Sequence, residues 1–167
     1  MGKLDIQISV EGGIWPSEDV LETLSERVLE AAARHLSHVE KQPFPDVSTE
    51  LSLLFTDDAS IRTINAEWRR QDKPTNVLSF PAFPVTPGKV PGPMLGDIIL
   101  AQETLAREAE EMGKTFDDHL THLLVHGFLH LFGYDHIEIR DAERMEGLET
   151  RILAELGLSD PYGYDPV

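Results

Sequence analysis

The sequence HLTHLLVHGFLHLFGYDH, residues 119–136, is the stretch that decides the fold. Between Leu120 and Phe132, apolar residues occupy most of the circumference of a helix, which is typical of an element buried on nearly all sides. Thr115 or Asp117 can cap the start of this helix, and Gly133 can end it. The sequence therefore predicts a central helix against which other elements pack.

Four segments before this helix have the properties of strands. Residues 4–10 and 47–56 alternate between apolar and polar side chains, which indicates strands with one buried face. Residues 76–80 and 98–100 are short strand-like runs, and the proline-rich segment between them is unsuited to regular structure. We predict a small mixed sheet of four strands.

Further segments space their apolar residues as helices do. These are a helix from the Ser17 cap through Leu36, a short helix after Thr56 or Asp57, a helix at 102–112 and a helix at 137–156. In the short helix, Ile61, Ile64 and Trp68 are expected to face the core. In the first helix, His35 and His38 are expected at the surface.

The order of these elements indicates the fold class. Strands precede or interleave with helices, and the chain has no internal repeat. We therefore predict an α+β fold in which a small mixed four-stranded sheet packs with about five helices. Residues 1–167 are expected to form one domain, with a loose tail at 157–167.

Composition restricts the classes of function. The 167 residues include no cysteine, so any metal must be held by nitrogen and oxygen ligands. Thirty acidic against fourteen basic side chains give a net charge of -16, which opposes non-specific binding to nucleic acid. No apolar run is long enough to span a membrane and no signal-peptide core is present, so we expect a cytoplasmic protein.

One short segment is basic, although the chain as a whole is acidic. Between residues 62 and 73, basic side chains outnumber the acidic Glu67 and Asp72. The basic residues are Arg62, Arg69, Arg70 and Lys73. Because the short helix ends within this segment, it is expected to deliver positive charge to a loop.

Three histidines have the spacing of a metal site. His126 and His130 are four residues apart, so their rings lie on one helix face about 6 Å apart along the axis. A positive φ at Gly133 can turn the chain and return the imidazole of His136 to that face. Three neutral imidazoles leave a fourth tetrahedral position for a water whose pKa falls toward about 7. The spacing predicts one catalytic zinc ion per chain, although imidazoles also suit nickel, copper and iron.

Neighbouring residues leave alternatives open. His122 and His119 lie near the same helix face and could form a rival ligand set, but three ligands from one helix rarely converge, so core or supporting roles are expected. Asp135 could orient a ligand imidazole or stabilise the turn. The histidine spacing also resembles that of metzincin peptidases, but Gly127 stands where their general-base glutamate belongs.

Residues 126–136 resemble the signature HGxLHLxGYDH of the YbeY family, bacterial endoribonucleases of ribosomal RNA maturation, at every fixed position. Residues 65–81, NAEWRRQDKPTNVLSFP, and residues 96–98, GDI, resemble two further landmarks of the family. The resemblance spans roughly Leu51 to Leu153. With its histidine-bearing central helix, the expected arrangement is zincin-like.

This resemblance implies a zinc-dependent endoribonuclease that cleaves single-stranded RNA. It implies maturation of the 3′ end of small-subunit ribosomal RNA, a part in ribosome biogenesis, and association with the ribosome or ribosomal proteins. It also implies that Arg69 is catalytic, which agrees with the affinity of a guanidinium for phosphate; a helix-end salt bridge is the alternative. A metzincin-like zinc peptidase and a non-catalytic, zinc-stabilised ribosome assembly factor remain open.

Overall fold

Four strands form a mixed sheet in the computed structural model, which describes residues 2–162. The strands are β1 (Leu4–Glu11), β2 (Thr49–Thr56), β3 (Val77–Pro81) and β4 (Met94–Ala101). They lie in the order β1-β2-β4-β3, with β1, β2 and β4 parallel and β3 antiparallel to β4 at one edge. β4 is longer than the predicted 98–100 because β2 pairs with it as far as Met94. The predicted mixed four-stranded sheet is confirmed.

Five helices accompany the sheet in the described part of the chain. They are α1 (Glu18–His38), α2 (Asp58–Arg69), α3 (Gln102–Glu111), α4 (Phe116–Leu131) and α5 (Ile139–Glu155). The side chains of Ser17, Asp57 and Thr115 each accept a hydrogen bond from a backbone N–H in the first turn of the helix that follows. These caps begin α1, α2 and α4 where the sequence predicts.

The histidine-bearing helix α4 is the central element. Its apolar side chains are almost completely buried among those of α1, α5 and the inner face of the sheet. At Gly127, an added Cβ would lie 3.0 Å from both Ile98 Cγ2 and Ser79 Oγ. The glycine therefore lets α4 lie directly on β3 and β4, which fixes the height of the helix above the sheet.

Two expectations about side-chain burial are wrong. Trp68 is 68% exposed, because α2 covers the outer face of the sheet chiefly through Ile61 and its last turn runs beyond that contact. There Trp68 lines a cavity of about 550 Å³ together with Ile64 and Phe80. His35 is only 4% exposed, because α5 packs near α1 and brings Glu155 Oε1 to within 2.7 Å of His35 Nδ1.

The segment after α5 contacts the domain as far as it is described. Leu158 packs against the core, and Tyr162 reaches α4 and α5. The rest of the predicted loose tail, residues 163–167, lies outside the described residues. Between residues 2 and 162, no helix has both the length and the apolar run needed to cross a membrane.

Candidate metal centre

Three imidazoles converge beside β3. His126 and His130 project from successive turns of α4, and one ring nitrogen from each of these and from His136 lies within 4.8 Å of the others. The Nε2 atoms of His126 and His130 are 3.1 Å apart. Two nitrogens on one tetrahedral ion, each about 2.0–2.1 Å from it, are about 3.3 Å apart. The arrangement therefore fits a single metal ion.

The turn after α4 returns the third imidazole. Gly133 has a φ of 94°, the positive value that the sequence requires there. Its N–H donates to the carbonyl of His130, and an added Cβ would lie 2.1 Å from the carbonyl oxygen of Val85. The position is thus suited only to glycine, both by its conformation and by the close approach of the neighbouring loop.

The environment keeps His130 neutral. Burial, followed by the proximity of His126 and His136, lowers the pKa of His130 to about 4. At neutral pH this imidazole is therefore unprotonated, which is the form that can bind a metal.

Glu149 of α5 contacts the His126 ring at the nitrogen opposite the one that faces His130. Its side chain is fully buried, and its Oε1 lies 2.6 Å from His126 Nδ1 while its Oε2 lies 2.8 Å from His122 Nε2. Burial raises the pKa of Glu149, but hydrogen bonds from His122 and His126 outweigh burial and hold that pKa well below its ordinary value. Because an ionised carboxylate only accepts, His126 donates from Nδ1 and keeps the Nε2 lone pair for a metal.

Glu149 was not predicted from the sequence, although the sequence carries a signal for it. The residue lies on the apolar face of α5, four residues after Met145 and three before Ile152. A carboxylate at a core position needs buried donors, and histidines on a neighbouring helix are suitable ones. The missing information was that α5 packs against the face of α4 that carries His122 and His126.

The other candidate residues have different partners. His119 is buried, and its Nε2 lies 2.9 Å from Glu108 Oε1, whereas His122 contacts Glu149, the carboxylate that also contacts His126. Asp135 Oδ1 accepts a hydrogen bond of 3.3 Å from the backbone N–H of Ile137, as a residue that stabilises a turn does.

Arg69 shares a cavity with the three histidines. The cavity is about 480 Å³, and β3 and the turn after α4 complete its wall. Arg69 Nη2 donates to the carbonyl of Ser79 at 2.8 Å, and its Cζ lies 5.1 Å from the centroid of the Phe80 ring. A salt bridge was the alternative role expected for Arg69. The basic segment does contain one, but Arg62 makes it, with its Nε 2.9 Å from Asp72 Oδ1. Arg69 is therefore anchored at the edge of β3, on the wall of the cavity that the three imidazoles also line.

The family of the chain follows from its sequence over nearly the whole length. A family model described as Endoribonuclease YbeY matches residues 14–157. The chain belongs to the YbeY family. It is 75% identical over 166 residues to the endoribonuclease YbeY of Sinorhizobium fredii, covering 99% of this chain and 96% of that protein. It is 74% identical to that of Rhizobium meliloti over 99% of both chains, and 65% identical to that of Agrobacterium fabrum over the full length of both.

A solved structure shares the fold. The solution structure of TM1509 from Thermotoga maritima superposes with a TM-score of 0.53 at 23% identity, covering 95% of this chain and all of that one. The resemblance to the YbeY family and the α+β fold inferred from the sequence are therefore confirmed. The expectation of a hydrolase that acts on RNA is confirmed at the level of the family.

Proposed function

We propose that this chain is a single-strand-specific endoribonuclease that uses one zinc ion held by His126, His130 and His136. The observation that carries the proposal is the convergence of these imidazoles in a cavity that also contains Arg69, in a chain of the YbeY family. Three imidazoles with a fourth position open are a ligand set of catalytic zinc sites, and the resemblance to the YbeY family supports zinc over the nickel, copper and iron that imidazoles also suit.

Each part of the site has a role in phosphodiester cleavage. His126, His130 and His136 would hold the zinc ion, which would supply Lewis acidity to polarise a phosphoryl oxygen or to activate the attacking group. Arg69 binds the non-bridging oxygens of the same phosphate and offsets the negative charge that develops on them. Ser79 and Phe80 hold its guanidinium in place beforehand, so little ordering is needed when the phosphate arrives.

The shape of the site supports a preference for unpaired RNA. The three histidines and Arg69 lie in a concave cavity between α4 and the edge strand β3. A single strand can bend its backbone into such a cavity, whereas a stiff A-form duplex presents its phosphates on a convex surface. With a net charge of -16, the protein gains little from general attraction to RNA, so local contacts must select the substrate.

The proposed substrate in the cell is ribosomal RNA, with maturation of the small-subunit 3′ end as the reaction. Family membership supports this assignment, and the acidic surface would suit contact with basic ribosomal proteins. Such a substrate implies a cytoplasmic enzyme that acts in ribosome biogenesis.

A peptidase of the metzincin kind is disfavoured at one position. Its general-base glutamate would occupy position 127, where even a Cβ would lie 3.0 Å from Ile98 and Ser79 on the sheet. A glutamate there would displace α4 from the sheet, so the glycine that stands at this position leaves the metzincin mechanism without its base.

The decisive experiment combines metal content with cleavage of a labelled single-stranded ribosomal RNA fragment. His126→Ala is expected to lose zinc and cleavage, and Arg69→Ala to lose cleavage while keeping zinc. His38→Ala and Arg70→Ala are matched controls, since both side chains are exposed and neither lines the cavity. A parent protein that binds one zinc but leaves RNA intact across a range of salt and metals would instead support a non-catalytic assembly factor.

A further inference from the structure

The phenol of Tyr162 reaches the buried carboxylate behind the metal centre. Its hydroxyl donates to Glu149 Oε2 and lies 3.3 Å from His122 Nε2. The Tyr162 and His122 rings meet almost perpendicularly, with centroids 5.5 Å apart. Tyr162 is far from His126 in the sequence, yet a single carboxylate separates the two side chains.

Several contacts hold the segment that carries this tyrosine. Leu158 packs against the core after the turn at the end of α5. Asp160 Oδ1 accepts hydrogen bonds from the backbone N–H of Tyr162 at 2.8 Å and from Thr150 Oγ1 at 3.1 Å. The position of the phenol is therefore fixed by α5 itself, the helix that also carries Glu149.

Glu149 depends on such donors because none of its side chain contacts solvent. Oε1 accepts from His126, and Oε2 accepts from both His122 and Tyr162. Two donors on Oε2 fix the plane of the carboxylate, so Oε1 stays directed at His126 Nδ1. A carboxylate that could rotate would hold the imidazole less firmly, and ligand orientation contributes to metal affinity.

We propose that Tyr162 is a positioning residue of the metal centre. Its hydroxyl completes the hydrogen bonds of Glu149, and Glu149 in turn holds His126 as the tautomer whose Nε2 faces the other two ligands. The inference rests on the proposed function only in taking His126 as a metal ligand. It also gives a role to the segment after α5, for which the sequence pattern predicted only a loose tail.

The test compares Tyr162→Phe with the parent, because phenylalanine keeps the ring packing and removes only the hydroxyl. The zinc dissociation constant, measured by competition with a chromophoric chelator, is expected to rise about tenfold, the lower end of the range for residues that support a ligand. In the metal-free protein, ¹⁵N spectra of the histidine rings are expected to show His126 protonated at Nδ1 in the parent and as a mixture of tautomers in the variant.

Thr150→Val is the matched control, because it removes one anchor of the segment without touching Glu149. Because the packing of Leu158 and the hydrogen bond between Asp160 and the Tyr162 backbone remain, this variant should leave zinc affinity and the His126 tautomer unchanged. Weakening in Thr150→Val alone would show that attachment of the segment matters and the phenol does not, which overturns the inference. Parent-like affinity and spectra in Tyr162→Phe would overturn it too. Neither readout requires RNA, so a parent that fails to cleave RNA would contradict the proposed function and leave this test intact.

Discussion

His126 Nδ1 lies 2.6 Å from Oε1 of Glu149, a carboxylate that is completely shielded from solvent. This contact joins α4, which supplies two of the three imidazoles, to α5, which supplies none. The geometry of the candidate metal centre therefore depends on how α4 and α5 pack. We expect substitutions of residues other than the three histidines to alter it as well.

Replacing Glu149 with glutamine should weaken the metal centre without removing a ligand. Glutamine keeps the size of the side chain, but it loses the negative charge that accepts from both His122 and His126. We expect the zinc dissociation constant to rise by about 10- to 100-fold, as chelator competition would show. Glu155→Gln is the control, since that carboxylate contacts the distant His35. Equal zinc affinity in the parent and Glu149→Gln would contradict the role given to this carboxylate.

Replacing Arg69 with lysine should separate charge from geometry. Lysine keeps the positive charge but cannot donate two parallel hydrogen bonds to a phosphate, and it lacks the flat surface that packs on Phe80. We expect the rate of RNA cleavage to fall on the order of 10²-fold while zinc content is unchanged. The same substitution at the neighbouring Arg70, which does not line the cavity, should have little effect. A fully active Arg69→Lys would mean that charge alone suffices.

Local signals in the sequence predicted most of the fold. Alternation in β1 and β2, and the caps Ser17 and Thr115, depend on neighbouring residues only and lie where expected. The convergence of the three histidines could also be predicted from the sequence, because a helical turn and a glycine determine it. Pattern and spacing are sufficient where one element determines the geometry.

The errors and omissions concern contacts between elements distant in sequence. His35 is buried because α5 brings Glu155 to it, and Trp68 is exposed because the packing of α2 ends one turn earlier. Glu149 and Tyr162 support His126 only through the docking of α5 and the segment after it. Helical periodicity identifies the apolar face of each helix but does not show which partner that face will contact.

Replacing Gly133 with alanine should destabilise both the turn and the site. Its φ of 94° costs any residue with a Cβ about 1–2 kcal/mol, and the Cβ would also overlap the carbonyl of Val85. Gly113 has a φ of 66° with nothing near its absent Cβ, so Gly113→Ala isolates the conformational cost. In urea unfolding of the metal-free protein, Gly133→Ala should lose more stability than Gly113→Ala, and it alone should bind zinc more weakly. Equal losses in the two variants would mean that the Val85 loop simply moves away.

The stability of the metal-free protein should decrease as the solution becomes mildly acidic. The pKa of His130 falls from its ordinary 6.5 to about 4 in the folded chain, chiefly through burial. Between these values the unfolded chain binds a proton at this site and the folded chain does not, so the free energy of unfolding falls as pH falls from 6.5 toward 4. One such group contributes a slope of at most about 1.4 kcal/mol per pH unit.

Other groups limit how completely one substitution can remove this pH dependence. Burial also lowers the pKa of His119, although Glu108 opposes this shift. His119 therefore also makes the free energy of unfolding fall as the pH falls, as His130 does. The contribution of Glu149 to the stability of the folded protein is lost only as the pH falls below its ordinary pKa of 4.5. Urea unfolding of the metal-free parent and His130→Gln at several pH values should therefore show a shallower slope between 6.5 and 4 in the variant, whereas the exposed His38→Gln should match the parent. Identical slopes in the parent and His130→Gln would show that His130 is protonated in the folded protein.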